Sequence, residues 1–318
     1  MTHVLYDADR DGLLGGFAAW LALGDDDVRY TERTSREAAP DFVHADERPD
    51  RLILIDFAYP LDEIERLSAR YDVLVIDHHK SFMEEVRQAT GDAFYDDLDA
   101  HCAEVTLPSG AKFDYVYDRR RSGAGLAWDY FHVDPRPALI DHVEDYDLWR
   151  WAMPFTDEVC LGIDHLVSGA EGERAFDILR FYASRDLSDV IHLGHVLAAA
   201  RDRIIEEAVA RAQIVNFPVE IDVTVPAVLL TSLPKAYVSK ACNAALDAYP
   251  EAMIAAHQYI DYGSREVGYG LRGRGDFDVG TVASVLGGGG HHNAAGFRLS
   301  MDAGDIGYFP TAWSPEEH

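Results

Sequence analysis

Short apolar runs rich in β-branched residues recur in the N-terminal part of the chain, and each one stops on acidic or imidazole side chains. His3–Tyr6 runs into Asp7, Arg51–Ile55 into Asp56, and Asp72–Ile76 into Asp77, His78 and His79. Runs of this length and composition predict buried strands. Between them the period changes. Gly12–Leu23, which includes Trp20, and Leu61–Arg70, with apolar residues at 61, 64 and 67, predict helices. Strand–helix–strand alternation predicts a parallel sheet with right-handed crossovers. Phe113–Tyr117 adds a strand, and Ser122 reads as the N-cap of a helix through Phe131. Residues 81–112 are acidic and lack a clear period, so Asp92–Glu104 is expected as a surface excursion.

The pattern then turns helical. Ala138–Val143 opens a helix leading into Glu144, Asp145, Tyr146, Asp147, Leu148, Trp149, Arg150 and Trp151, where the tryptophans read as wall and core rather than as base-stacking platforms. Glu171–Ile214 predicts helices broken near Asp186–Asp189. Arg203, Glu206, Glu207 and Arg211 fit a solvated face, and the last helix reads as a connector. Phe217-Pro218 begins a second module. Strands are expected near 219–224, 227–231, 252–260 and 265–272, with helices near 237–248 and from Asp278 to Leu286. Gly287–Gly290, His291, His292, Asn293 and a strand at Phe297–Leu299 close it. The expected fold is α/β: a parallel-sheet domain over 1–168, a helical connector over 169–215, and a smaller α/β domain over 216–318.

Charge changes the picture more than overall composition does. Apolar residues make up 48%, as in ordinary soluble chains, but 56 acidic residues face 28 basic ones, for a net charge of −28. Only four lysines are present, at 80, 112, 235 and 240. Such a surface repels long nucleic acid unless a local groove or a metal overrides it. The cysteines, 102, 160 and 242, form neither a close pair nor an even framework, which points to a reducing compartment. Asp7, Asp9, Arg10 and Asp11 do not suit a signal peptide, and the apolar run Gly12–Gly24 is too short to span a bilayer. The protein is therefore expected to be cytoplasmic.

Candidate chemistry sits where the strands stop. In open α/β sheets, ligands collect outside the carboxyl ends of strands. Asp7, Asp9 and Asp11 alternate, so an extended segment would aim them to one side. Uncompensated, they would repel one another and raise their own pKa values, a cost that a divalent cation removes. The alternative is an Asp-rich turn capping the helix at Asp11. Arg119, Arg120 and Arg121 beside Ser122 suggest either an anion site at a helix N-terminus or a local offset to nearby aspartates. Gly288, Gly289 and Gly290 disfavour regular elements and would let backbone N–H groups curve around an anion, with His291 as a further donor.

Asp7-x-Asp9-x-Asp11-Gly12, Asp56, Asp77-His78-His79, the Asp145/Asp147 segment and Gly287–Gly296 together resemble the DHH phosphoesterase superfamily with its C-terminal DHH-associated domain. The resemblance covers nearly the whole chain. It implies two Mn²⁺ ions, with Mg²⁺ as the alternative. Asp9 and Asp56 would hold one; Asp11, Asp56, His78 and Asp147 would hold the other, with Asp56 shared. The Asp-x-Asp-x-Asp-Gly segment resembles RecJ-type exonucleases. Many small relatives have a histidine in this segment, so Asp7 is a candidate ligand by position only. Asp147 is preferred to Asp145 because Asp147-Leu148-Trp149 resembles a motif of some oligoribonuclease relatives. Asp77 would orient its neighbours and His79 would contact the scissile phosphate. Arg272, His291 and the glycine segment would grip the rest of the substrate.

These roles imply a phosphoesterase acting on short oligonucleotides, linear dinucleotides or 3′-phosphoadenosine phosphate. Alternatives are a RecJ-like single-strand exonuclease, an exopolyphosphatase or pyrophosphatase, and a nucleotide-binding regulator with a decayed centre. The expected partner is a nucleotide or short oligonucleotide, without long duplex nucleic acid or a membrane. Homodimerisation is left open.

Overall fold

A computed structural model describes the chain except for residues 34–36, 41, 43–47, 92–100, 171, 221–222, 302–310 and 313–318. It divides into two compact units, Met1–Ala198 and Ala199–His318. Among the described residues, no helix is long and apolar enough to cross a membrane.

The N-terminal unit begins with β1 (Thr2–Asp7), α1 (Arg10–Leu23), β2 (Val28–Arg33) and β3 (Arg51–Ile55). It continues with α2 (Leu61–Ser68), β4 (Asp72–Asp77), α3 (Lys80–Thr90), β5 (His101–Thr106) and β6 (Lys112–Tyr117). Helices α4 (Gly123–Phe131), α5 (Ala138–Asp147), α6 (Thr156–Val167) and α7 (Glu173–Ala183) follow, and α8 (Ser188–Ala210) carries the chain into the second unit.

The sheet order is β2-β1-β3-β4-β6-β5. All neighbours are parallel except β5 with β6. The strand period of two sorts the side chains onto the two faces. Val4, Tyr6, Ile53, Ile55, Leu74 and Ile76 pack beneath α1, α4, α5, α6 and α7. Leu5, Leu52, Leu54, Val73 and Val75 pack against α2 and α3. Covering both faces is what makes the strands read as continuous apolar runs. It also leaves the carboxyl ends of β1, β3 and β4 as the place where polar groups can gather.

Two local readings change. The stretch expected to be irregular contains α3, which buries Phe82, Met83 and Val86, and the strand β5; residues 92–100 of the expected excursion lie outside the described residues. Phe82, Met83 and Val86 follow the helical i, i+1, i+4 spacing of one buried face, a period that the acidic composition of the whole stretch hides. The cap of α1 is Asp9, whose carboxylate accepts from the Gly12 amide at 3.0 Å, and not Asp11.

The smaller C-terminal unit holds β7 (Gln213–Glu220), β8 (Val223–Thr231), a 3₁₀ turn at Lys235–Tyr237, α9 (Val238–Ala248), β9 (Ile254–Asp261) and β10 (Glu266–Gly273). After these come α10 (Val279–Val285), β11 (Gly289–His291), β12 (Ala294–Ser300) and β13 (Thr311–Ala312). Its sheet order is β11-β12-β10-β9-β8-β7-β13. Only β8 and β9 pair in parallel. One face packs on α10, the other on α9 and Ile205 of α8.

Here β7 starts at Gln213, well before Phe217-Pro218. Pro218 does not open the strand; it lies beside a register shift between Pro218 and Glu220, a place where proline is tolerated in a sheet. Val223–Thr231 is one strand, not two. The glycine segment also changes: Gly289–His291 is an edge strand paired with Ala294–Gly296, and His292-Asn293 forms the turn between them. Gly288 and Gly290 are required by close packing. A Cβ on Gly288 would lie 2.1 Å from the Gly296 carbonyl oxygen, and one on Gly290 would lie 2.5 Å from the Ala295 Cα.

Candidate metal centre

Asp7 ends β1, Asp56 follows β3, and Asp77 ends β4. Parallel register therefore delivers all three to the same edge of the sheet. Asp9 and Asp11 sit at the cap and first turn of α1, so the Asp-x-Asp-x-Asp segment bends from strand into helix instead of staying extended. His78 and His79 lead into α3, and Asp147 ends α5.

The bend divides the carboxylates among three overlapping groups, each with ligand atoms within 4.8 Å of one another: Asp7, Asp9 and Asp56; Asp11, His78 and Asp147; and Asp56, His78 and His79. Asp56 and His78 each belong to two of them. His78 Nε2 lies 3.2 Å from Asp56 Oδ1, 3.6 Å from Asp147 Oδ2 and 3.8 Å from Asp11 Oδ2.

Burial makes this arrangement costly for the protein alone. Asp11, Asp56 and Asp77 are 3%, 1% and 0% exposed. Burial, reinforced by Asp11, Asp9, Asp147 and Asp77, holds the Asp56 carboxyl well above the usual range. Asp147 is raised well above it too, by burial and then by Asp11 and Asp9. Burial followed by Asp9 pushes Asp7 up to about 6. Burial lowers the His78 pKa, which leaves a neutral imidazole with a lone pair to share. Asp56 Oδ1 is buried without a hydrogen-bond partner among the described residues. An oxygen-rich set with one or two imidazoles and an unsatisfied buried carboxylate oxygen fits divalent cations of the Mn²⁺ or Mg²⁺ type.

The backbone is shaped to hold Asp56 there. Its φ is +66°, a left-handed conformation uncommon outside glycine, and its amide donates to the Ile76 carbonyl at 2.8 Å. Gly123 lies against it: a Cβ at 123 would come within 2.5 Å of Asp56 Oδ1. Asp11 is fixed from the same helix start, accepting from the amides of Gly123 at 2.6 Å and Ala124 at 3.0 Å. No motif marks Gly123; its neighbour Ser122, with its cap signature, was the legible part.

Asp77 faces its own neighbours. Its Oδ1 accepts from the amides of His78 at 2.8 Å and His79 at 3.2 Å and pairs with His79 Nδ1 at 2.7 Å. Burial lowers the His79 pKa, but the Asp77 bond and the charges of Asp77, Asp147 and Asp7 outweigh it, and the result is about 9. The buried Asp77 carboxylate therefore orients the His79 ring and favours its protonated form.

Other expected residues go elsewhere. Ser122 caps α4, accepting from the Gly125 amide at 3.1 Å. Arg121 pairs with Glu144 at 2.8 Å and with Asp129 at 2.9 Å. The α4 N-terminus thus receives the internal carboxylates Asp11 and Glu144, and the expected site for an external anion at Arg121 and Ser122 is already filled. Asp145 accepts from Ala152 N at 2.8 Å, Met153 N at 3.1 Å and the Thr156 hydroxyl at 2.6 Å, which pins the following turn. Trp149 and Trp151 are 46% and 38% exposed, so they are not core. In the C-terminal unit, register aligns His291, Ala294 and Arg272 across β11, β12 and β10. Arg272 also donates to the Ser239 hydroxyl at 3.2 Å and to the Leu271 carbonyl at 2.8 Å.

Arg10 carries no weight in the motif but takes a definite place. It sits between Asp9 and Asp11, forms a two-pronged pair with Asp164 of α6 at 2.8 and 2.5 Å, and lies 4.5 Å over the Tyr146 ring. Its position between two aspartates was the one available signal.

No family model matches the chain. An uncharacterized protein of Acanthamoeba polyphaga mimivirus is 27% identical over 259 residues, covering 80% of this chain and 54% of the viral protein. The chain thus spans about half the length of that curated relative. Among solved structures, it is similar to the pGpG-specific phosphodiesterase PggH from Vibrio cholerae, with a TM-score of 0.50, 12% identity, and 95% and 94% of the two chains covered. It is similar as well to RecJ from Thermus thermophilus in complex with Mn²⁺, with a TM-score of 0.50, 18% identity, 94% of this chain and 49% of RecJ covered.

Proposed function

Starting from a chain that has the fold of the DHH phosphoesterases, we propose that it is a metal-dependent phosphodiesterase acting on short oligonucleotides, linear dinucleotides or 3′-phosphoadenosine phosphate. The observation that carries this reading is the meeting of Asp7, Asp9, Asp11, Asp56, His78, His79 and Asp147 in three overlapping groups, two joined by Asp56, whose Oδ1 is buried without a hydrogen-bond partner among the described residues, and two by His78. Asp7, Asp9 and Asp56 would hold one Mn²⁺, and Asp11, His78 and Asp147, with Asp56 shared, the other; Mg²⁺ suits the same oxygens. Such a pair, when bound, neutralises charge on the attacking and leaving oxygens of a phosphodiester.

The chain's own groups do the rest. Asp77 holds the His79 ring by Nδ1 and keeps it protonated, so His79 donates to a phosphate oxygen and offsets the charge that builds there. Asp11 keeps its orientation through the two amides at the start of α4. Within the C-terminal unit, Arg272, Gly288, Gly289, Gly290 and His291 are proposed as nucleotide-binding residues; the backbone register that aligns Arg272 and His291 through Ala294 supports this.

Short substrates are favoured because a net charge of −28 works against the approach of a long polyanion. The full-length likeness to a dinucleotide phosphodiesterase points the same way. A second reading, a RecJ-type single-strand exonuclease, is supported by an equal TM-score. With Mn²⁺ present, mononucleotide release from di- and trinucleotides should be faster than from a long single strand. Equal rates would favour the exonuclease, and phosphate release from polyphosphate alone would overturn both.

A further inference from the structure

The turn after Asp147 holds large rings in water on a backbone that such residues avoid. Trp149, Trp151 and Phe155 have φ of +54°, +51° and +65° and are 46%, 38% and 48% exposed. The turn is pinned nonetheless. Asp145 accepts from Ala152, Met153 and Thr156 through its carboxylate, and from the Arg150 amide at 2.9 Å through its carbonyl. Neither the core nor the metal groups account for aromatic rings fixed in this way, and a fixed apolar patch marks a surface that meets something.

The patch follows one of the carboxylates along the chain. Trp149 lies two residues beyond Asp147. The Trp149 and Trp151 rings meet edge-to-face at 4.9 Å, and Tyr146 touches them at 6.0 and 5.2 Å. Tyr146 in turn lies under Arg10, the residue between Asp9 and Asp11. The row Arg10–Tyr146–Trp151–Trp149 therefore runs from the helix start that carries Asp9 and Asp11 to an exposed aromatic edge. The Arg10 charge is already met by Asp164.

We propose that Trp149 and Trp151 form a platform on which an unpaired nucleobase of the substrate stacks while its phosphodiester lies at the carboxylate cluster. The occupant follows from chemistry. A base has a flat π-face that stacks on tryptophan whatever its identity, whereas pyrophosphate and polyphosphate offer none. Stacking also recruits a nucleotide without a basic groove, which suits a chain with twice as many acidic as basic residues. The proposal rests on the phosphodiesterase reading and narrows it to substrates that carry an accessible base next to the bond cleaved. Asp145 becomes a positioning residue that acts through the turn.

The test compares a dinucleotide with the same dinucleotide made abasic on one side, using wild type, Trp149→Leu, Trp151→Leu and Trp149→Phe. Wild type should prefer the base-bearing substrate. The Leu variants should raise its KM roughly 5- to 100-fold with a smaller change in kcat, and so collapse the preference; Trp149→Phe should restore part of it. In parallel, quenching of tryptophan fluorescence by AMP, set against ribose 5-phosphate, reads stacking without turnover. Quenching by AMP that is lost in the Leu variants, together with no hydrolysis of any diester, would sink the phosphodiesterase reading and keep the platform. Hydrolysis with an unchanged base preference and no selective quenching would sink the platform and keep the enzyme. Loss of self-association in the Leu variants without either nucleotide effect would reassign the patch to a contact between copies and overturn the proposal.

Discussion

The strand ends of the N-terminal unit and the glycine hairpin of the C-terminal unit are both unusual in composition, yet their oddities are settled in opposite ways. At the strand ends, buried polar groups keep unspent bonding capacity: Asp56 Oδ1 and Asp77 Oδ2 have no hydrogen-bond partner among the described residues. At the hairpin, close packing already accounts for two of the glycines. Gly288 and Gly290 let β11 pass close to β12, and the turn is tied by Val279 N to His292 O at 2.9 Å. The α4 N-terminus sides with the hairpin, since Asp11 and Glu144 occupy it from within. A cluster points to a ligand when local structure fails to satisfy it; where packing already explains the residues, composition says less about function.

The sharpest way to break this contrast is Asp56→Asn. If the orphaned carboxylate oxygen is a shared cation ligand, kcat with Mn²⁺ should fall on the order of a thousandfold, since such stabilisation is worth several kcal/mol. Bound metal, measured by elemental analysis, should fall with it. Retained metal and turnover would take Asp56 out of the centre.

A smaller effect should appear on chelation. Saturating Mn²⁺ should stabilise the folded chain by about 3 kcal/mol at a hundredfold excess over Kd, seen as a drop in Tm when EDTA is added. The pH trend has a definite sign. The Asp7 pKa is raised by burial and Asp9 to about 6, and burial raises Asp56 and Asp147 well above the usual carboxylate range. Without metal, these groups contribute fully only below their unfolded value, and the contribution is lost as pH rises through each raised pKa, about 6 for Asp7. The gain in Tm from Mn²⁺ should therefore be larger at pH 8 than at pH 5. A gain independent of pH would mean that the cation binds elsewhere.

The smallest effect sharpens the other side. Gly288→Ala should cost about 2 kcal/mol by steric clash, while Gly289→Ala, whose Cβ would meet nothing within 4 Å, should stay within about 0.5 kcal/mol. Thermal denaturation of the two variants tests the packing role; equal, negligible costs would remove it from Gly288.

Much of the N-terminal unit was legible because parallel strands buried on both faces leave long apolar runs, and a charged residue at the end of such a run stands out. Asp56 and Asp77 were visible for that reason. Helix α3 and strand β5 were not, because partial solvation mixes their acidic and apolar positions. The path of Asp7, Asp9 and Asp11 was misjudged: spacing alone suggests one face, but the chain turns into α1 at Asp9 and sends Asp11 to a different group. Arg121 and Ser122 looked available because their partners, Glu144 and Asp129, are distant in sequence or carry no motif. Trp149 and Trp151 read from the sequence as wall and core, whereas the turn anchored on Asp145 leaves both exposed.

At position 123 a single hydrogen atom separates a helix from the carboxylate at 56. That spacing sets a boundary for anyone reshaping the protein by directed evolution. A methyl group introduced there would collide with the Asp56 carboxylate, so diversity at the start of that helix disturbs the candidate metal groups first. The outward-facing rings near 149 and 151 can vary without that penalty, and a library that seeks new preferences belongs there.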